Sequence, residues 1–174
     1  MNKGNIFQDL TMYKVKKFEI LHLFFGIIGL LVLEGILLQF LPIRGMEEAI
    51  IIPFTLIGTI VNMYFAIEAI EKVNSRLAML GLLFFIILEF ITFFAFEYWY
   101  LIIFDPASFP TVTPDMLSLL FHSTMVFVLN PLYLPATAAG KALILINTLS
   151  SLGIVIFILQ NIWQLHHLGR TEQL

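Results

Sequence analysis

Residues 113–130, TPDMLSLLFHSTMVFVLN, decide how this chain is read, together with PLYLPATAAGK (131–141) and the apolar run KALILINTLSSLGIVIFILQ (141–160) that follow. Thr113-Pro114-Asp115 reads as a helix start, with Thr113 as N-cap, Pro114 in the first turn and an acid at the positive end of the helix dipole. The apolar run Met116 to Leu129 is about fourteen residues, roughly 21 Å as a helix. A lone span needs about 20 residues, so this run is too short to cross a bilayer. Asn130-Pro131 stops it, because proline cannot continue the ladder and disfavours the helical region for the residue before it. The polar turn Pro135 to Lys141 then leads into a full-length apolar helix. Short helix, extended return and full helix together predict a re-entrant hairpin. Non-helical backbone at membrane depth is tolerated only where protein or a water-filled cavity satisfies it, so the hairpin is expected to line something other than lipid.

Composition sets the same class for the whole chain. Its 174 residues are 60% hydrophobic and 12% charged, with a mean hydropathy of +0.97, whereas soluble domains carry about 25% charged residues. The expectation is one all-α integral membrane unit with four transmembrane helices and the re-entrant hairpin between the third and fourth. Without cysteine, thiolate metal sites and cysteine nucleophiles are excluded. A net charge of −3 gives no reason to expect a nucleic-acid partner. The first apolar run begins near Phe18 and is long enough to stay as a span rather than act as a cleaved signal.

Taken in order, residues 1–17 are a polar flank with Lys3, Lys14, Lys16 and Lys17, readable as an interfacial helix or as a basic flank that sets orientation. A two-helix hairpin over 18–76 follows. Its first span, Phe18 to Leu41, contains Gly26, Gly29 and Gly35, small residues that let another helix approach. It also contains Glu34. The second span, Ala49 to Ile70, has Pro53 in its first turns and Asn62 near its middle. Neither span has an interior Lys or Arg, which argues against a voltage sensor. The third span, Leu77 to Phe104, carries Glu89 near mid-depth. It ends in Phe94, Phe96, Tyr98, Trp99 and Tyr100, with Glu97 among them, a cluster read as an interfacial belt. The fourth span, Ala142 to Trp163, has a polar stripe of Asn147, Thr148, Ser150 and Ser151, and Gly153. Residues 166–174 form a polar tail. Lysine and arginine counts predict both termini in the cytoplasm, with the hairpin entering from outside, and the membrane expected is the plasma (inner) membrane.

Leu134-Pro-Ala-Thr-Ala-Ala-Gly-Lys-Ala-Leu143 and the helix after it resemble the post-filter turn and inner helix of potassium-channel-type pore modules, a likeness covering Leu77 to Trp163. The resemblance implies that 77–165 is a channel-like pore module of outer helix, pore helix and inner helix, with four copies around a pore. Counting back from Pro135, the family's Thr-Val-Gly-Tyr-Gly filter falls on Phe127, Val128, Leu129, Asn130 and Pro131. Both glycines are missing, and they permit the dihedrals that turn carbonyls inward in such filters. Asn147, Thr148, Ser151 and Gly153 become the candidate pore-lining positions.

Glu34, Asn62, Glu89 and His122 are the intramembrane polar residues. A carboxylate in hydrocarbon costs about 3 kcal/mol, so such groups face the bundle interior. Glu34 and Glu89 could bind a cation or relay protons, or could be protonated and hydrogen-bonded to Asn62 or to a hydroxyl on the fourth helix. His122 is a pH-sensitive ligand or a satisfied interior hydrogen-bonder. His166-His167 point apart on a helix and lack a third ligand, so no metal site is expected. No enzymatic motif or cofactor signature is present. The reading that follows is a cation-conducting, channel-like homo-oligomer with a non-standard filter. The alternatives are a non-conducting subunit or scaffold that binds another membrane protein, and an ion- or proton-coupled transport subunit using Glu34 and Glu89.

Overall fold

The computed structural model describes residues 25–40, 47–71 and 76–171. The flank 1–17, the start of the first expected span, the loop containing Arg44 and the turn containing Lys72 lie outside the described residues. Five α-helices and one 3₁₀ turn make up the described chain: α1 (Phe25–Phe40), α2 (Glu47–Glu71), α3 (Arg76–Phe104), the 3₁₀ turn Pro106–Ser108, α4 (Met116–Phe127) and α5 (Ala138–Thr171). The described residues contain no strand. Helices α2, α3 and α5 are long and apolar enough to cross a membrane, whereas α1 as described and α4 are shorter apolar helices.

The middle of the bundle is α3. Ile86, Phe90, Phe93, Phe94, Glu97, Tyr98, Leu101 and Ile102 are buried, a stripe at helical spacing that faces the other helices. The aromatic cluster read as an interfacial belt is in large part this core: Phe94 and Tyr98 are fully enclosed, and Trp99 and Tyr100 are half-buried. The reason is α4, which folds back along α3 and covers that end. The His122 ring lies 4.7 Å from Tyr98 and 5.9 Å from Phe109.

Close approaches fix the helix pairs. A Cβ on Gly58 of α2 would collide with the Phe93 ring of α3 and come within 2.8 Å of Leu30 Cδ2 on α1. On α1, a Cβ at Gly35 would sit 2.8 Å from the Tyr100 hydroxyl, while Gly26 and Gly29 have nothing within 4 Å. Of the three glycines on α1, Gly35 thus serves a close helix contact. Met63 of α2 reaches Gly153 of α5, 3.3 Å from the position of a Cβ there.

Both ends of α4 differ from the sequence reading. Asp115, not Thr113, is the N-cap of α4: its carboxylate accepts from the Ser118 N–H at 2.9 Å and the Ser118 hydroxyl at 2.8 Å. Those two bonds hold its carboxyl below the usual carboxylate range. Pro114 therefore precedes the helix. At the other end, α4 stops at Phe127, two residues early. Leu129 turns to φ 63°, its N–H bonds Val126 O at 2.9 Å, and the Asn130 N–H bonds Met125 O at 2.8 Å. This is the Schellman closure, usually made by glycine at the left-handed position.

Helix α5 begins earlier than expected, because Thr137 caps it. The Thr137 hydroxyl accepts from the Gly140 N–H at 3.3 Å, and Ala138, Ala139 and Gly140 become its first turn. Thr137 is tied in turn to the 3₁₀ turn, through Ser108 Oγ at 2.6 Å and Ala136 N–H to Ser108 O at 2.8 Å. Ser108 Oγ also donates to Asp105. The linker into α4 and the start of α5 are thereby bound together.

Candidate functional site

Thr55, Thr59 and Asn62 stand at i, i+4 and i+7 on α2, so they share one face, and all three are buried. That face meets α3. Thr55 Oγ1 lies 2.8 Å from Glu97 Oε2, and Gly58 packs on Phe93, so the two helices run antiparallel. Four residues further along α2 and four back along α3, Asn62 is level with Glu89. The polar face of α2 thus joins two acidic levels of α3. Glu97 lies roughly 10 Å, and Glu89 roughly 22 Å, from the end of α3 by helix rise.

At the Glu97 level α1 adds a second carboxyl. Glu34 and Glu97 are both 0% exposed, and their carboxyl groups are electrostatically coupled. No donor reaches either Glu34 oxygen or Glu97 Oε1. Two carboxylates cannot donate to one another, and like charges in contact inside hydrocarbon repel. Tyr100 positions the pair without bonding it: its hydroxyl donates to Leu31 O at 2.9 Å, straddling Gly35 and clamping α1 to α3 on either side of Glu34.

The deeper level has still fewer partners. Both side-chain polar atoms of Asn62, both carboxyl oxygens of Glu89 and the Thr59 hydroxyl between the two levels are buried without a hydrogen bond. The expected pairing of Glu34 or Glu89 with Asn62, or with a hydroxyl of α5, is not made. Buried polar atoms are ordinarily satisfied, so this run of unsatisfied groups along the α2–α3 interface is the unusual feature of the molecule.

Elsewhere the polar side chains are largely occupied. Asn147 Nδ2 donates to the Tyr98 hydroxyl at 3.1 Å, and Ser151 Oγ donates to Asn147 O at 2.7 Å. Both residues are buried within this chain, so at these two positions the stripe read as pore-lining turns into the bundle. Thr148 and Gly153 are half-buried. His122 Nδ1 accepts a long 3.4 Å bond from the Tyr133 N–H, and its Nε2 has no partner. Among the filter-equivalent residues, Phe127 is half-buried and Val128, Leu129, Asn130 and Pro131 are exposed. The Thr124, Met125 and Val126 carbonyls accept bonds from the helix cap, so Val126 O is engaged in the turn. A shallow cleft of about 420 Å³ between the starts of α2 and α5 is lined by Glu48 and Ile52 with Ala49, Ala138, Ala139 and Ala142. No group of three metal-ligating side chains occurs among the described residues.

No family model matches this chain, and no curated protein or solved structure shows detectable similarity to it.

Reading the residues one helix at a time found Glu34, Asn62 and Glu89 but assigned no role to Thr55, Thr59 or Glu97. The i, i+4, i+7 spacing on α2 was an available signal for the first two. Glu97 was hidden by its aromatic neighbours, which a belt and a buried core share.

Proposed function

We propose that this protein is a multi-pass membrane protein that conducts a cation through the polar interior of its own helix bundle. In this reading α1 is the first of four spans, residues 105–137 form the re-entrant hairpin, and both termini face the cytoplasm of a plasma (inner) membrane. The observation that carries it is the run from Glu34 and Glu97 through Thr59 to Asn62 and Glu89. Ionisable groups within spans are costly and mark ion pathways or proton relays. A helix scaffold gains little from them, since interhelical hydrogen bonds in membranes contribute only about 0.6 kcal/mol on average, and most of these atoms make none.

A second reading keeps the potassium-channel-like arrangement, with α3 as outer helix, α4 as pore helix, α5 as inner helix and four copies around an axis. The exposed tip Val128 to Leu132 favours it, as the part of the hairpin free to meet other copies.

Cation flux through the purified chain in liposomes separates these readings. Flux that falls sharply in Glu89→Gln and Asn62→Leu, but persists in Asn130→Ala, is the expected result. Flux sensitive to Asn130 and insensitive to Glu89 and Asn62 would move conduction to an axis between copies. Flux no greater than through empty liposomes would leave a non-conducting scaffold.

A further inference from the structure

The geometry around Thr55 specifies what the upper acidic level holds. Thr55 Oγ1 lies 2.8 Å from two acceptors at once, Ile51 O one turn back on α2 and Glu97 Oε2 across on α3. A threonine hydroxyl has one hydrogen, so it serves one of these acceptors at a time. Both contacts are satisfied together only if Thr55 donates to Ile51 O and Glu97 donates its own O–H to Thr55. Glu34 supplies an independent sign. It is 0% exposed, both its oxygens lack a donor, and its carboxyl is electrostatically coupled to that of Glu97. A carboxyl enclosed without any donor is costly as an anion.

We propose that Glu34, Glu97 and Thr55 form a proton-binding site, in which the carboxyl pair takes up and releases protons and Thr55 is a two-position hydroxyl rotor that matches either state. In the loaded state Glu97 Oε2–H donates to Thr55 Oγ1, and the Thr55 hydroxyl donates to Ile51 O. On release the Glu97 O–H bond breaks, its electron pair stays on Oε2, and the proton passes to a water molecule. The Thr55 hydroxyl then swings from Ile51 O to Oε2 and hydrogen-bonds the new carboxylate. Neither state moves a heavy atom. The groups facing the pair are Thr55 from α2, which does not titrate, and Tyr100 from α3, whose hydroxyl is committed to Leu31 O. Glu89 lies two turns deeper. This inference deepens the reading above, naming the proton as the species handled at this level, and its role in transport rests on that reading.

Infrared difference spectroscopy of the reconstituted full chain between two pH values tests occupancy without reference to flux. The expected result is a carboxylic-acid C=O band that exchanges with pH, is lost in the Glu34→Gln/Glu97→Gln double variant and survives in Glu89→Gln. Thr55→Val should shift that band in frequency, because the acid loses its acceptor, and Thr55→Ser should leave it in place. If the double variant does not fold, the Val and Ser pair at residue 55 still decides the matter. No exchanging band in the wild type, a band unchanged in the double variant, or one indifferent to Thr55→Val would each overturn the site. A band without flux would retain the site and remove the transport reading, and flux without the band would do the reverse.

Discussion

Leu129 adopts φ 63°, a conformation that costs a side-chain-bearing residue about 1–2 kcal/mol. The chain accepts it because the turn it makes satisfies two carbonyls at the end of α4, Met125 O and Val126 O. Glycine reaches that region freely but gives up more unfolded-state entropy, about 0.5–1 kcal/mol. Leu129→Gly should therefore raise stability by roughly 0.5–1 kcal/mol net, while Leu129→Ala, which keeps the Cβ, should not. Thermal unfolding in detergent measures both, and equal stability of the two variants would remove the strain argument. The stop near Asn130-Pro131 was legible in the sequence. The left-handed residue was not, because a leucine gives no hint of it. The start of α4 shows a related ambiguity at Thr113 and Asp115. Both are good caps, and what favours Asp115 is Ser118 three residues on, whose N–H and hydroxyl both point to the same carboxylate.

At the scale of helices, the length of the apolar runs was enough to place α2 and α3 to within two residues, whereas α5 starts four residues before and ends eight residues after the expected span. An uninterrupted apolar run of that length has one satisfactory conformation in lipid. The order of contacts between helices was harder to read, because in hydrocarbon it depends on small residues and shape rather than on a hydrophobic stripe. Gly58 shows the difference. Nothing in the sequence separates it from Gly26 or Gly29, yet it alone of the three sits under both Phe93 and Leu30. Gly58→Ala should force those side chains off their packing at a cost of about 1–3 kcal/mol. It should also disturb the alignment of Thr55 with Glu97 one turn away. Gly26→Ala and Gly29→Ala should be close to neutral. Unfolding of the three variants in the same detergent is the measurement, and a tolerated Gly58→Ala would mean that α1, α2 and α3 are less tightly joined than described.

Across the whole molecule, function turns on which surface meets water. Helix α5 carries the most hydroxyl and amide groups, and counted along the sequence they form a stripe suited to an aqueous axis. In three dimensions that stripe is spent internally: Asn147 bonds Tyr98 of α3, Ser151 bonds Asn147, and both are buried. The sequence supplied the stripe but not its direction, since an inward-facing hydrogen-bonded seam and a pore lining use the same residues at the same spacing. A cysteine-free chain makes the distinction direct to measure. Ser151→Cys in liposomes should not react with a membrane-impermeant thiol reagent, whereas Leu134→Cys, on the exposed return segment before α5, should react readily. Asn147→Leu should destabilise the fold by about 1–3 kcal/mol, the cost of leaving a buried polar partner unsatisfied at Tyr98, whether or not ions flow. If Ser151→Cys were modified as fast as Leu134→Cys while the protein stayed folded, α5 would have to turn that face to water in some state. Conduction would then belong to an axis shared between copies rather than to the interface of α2 with α3.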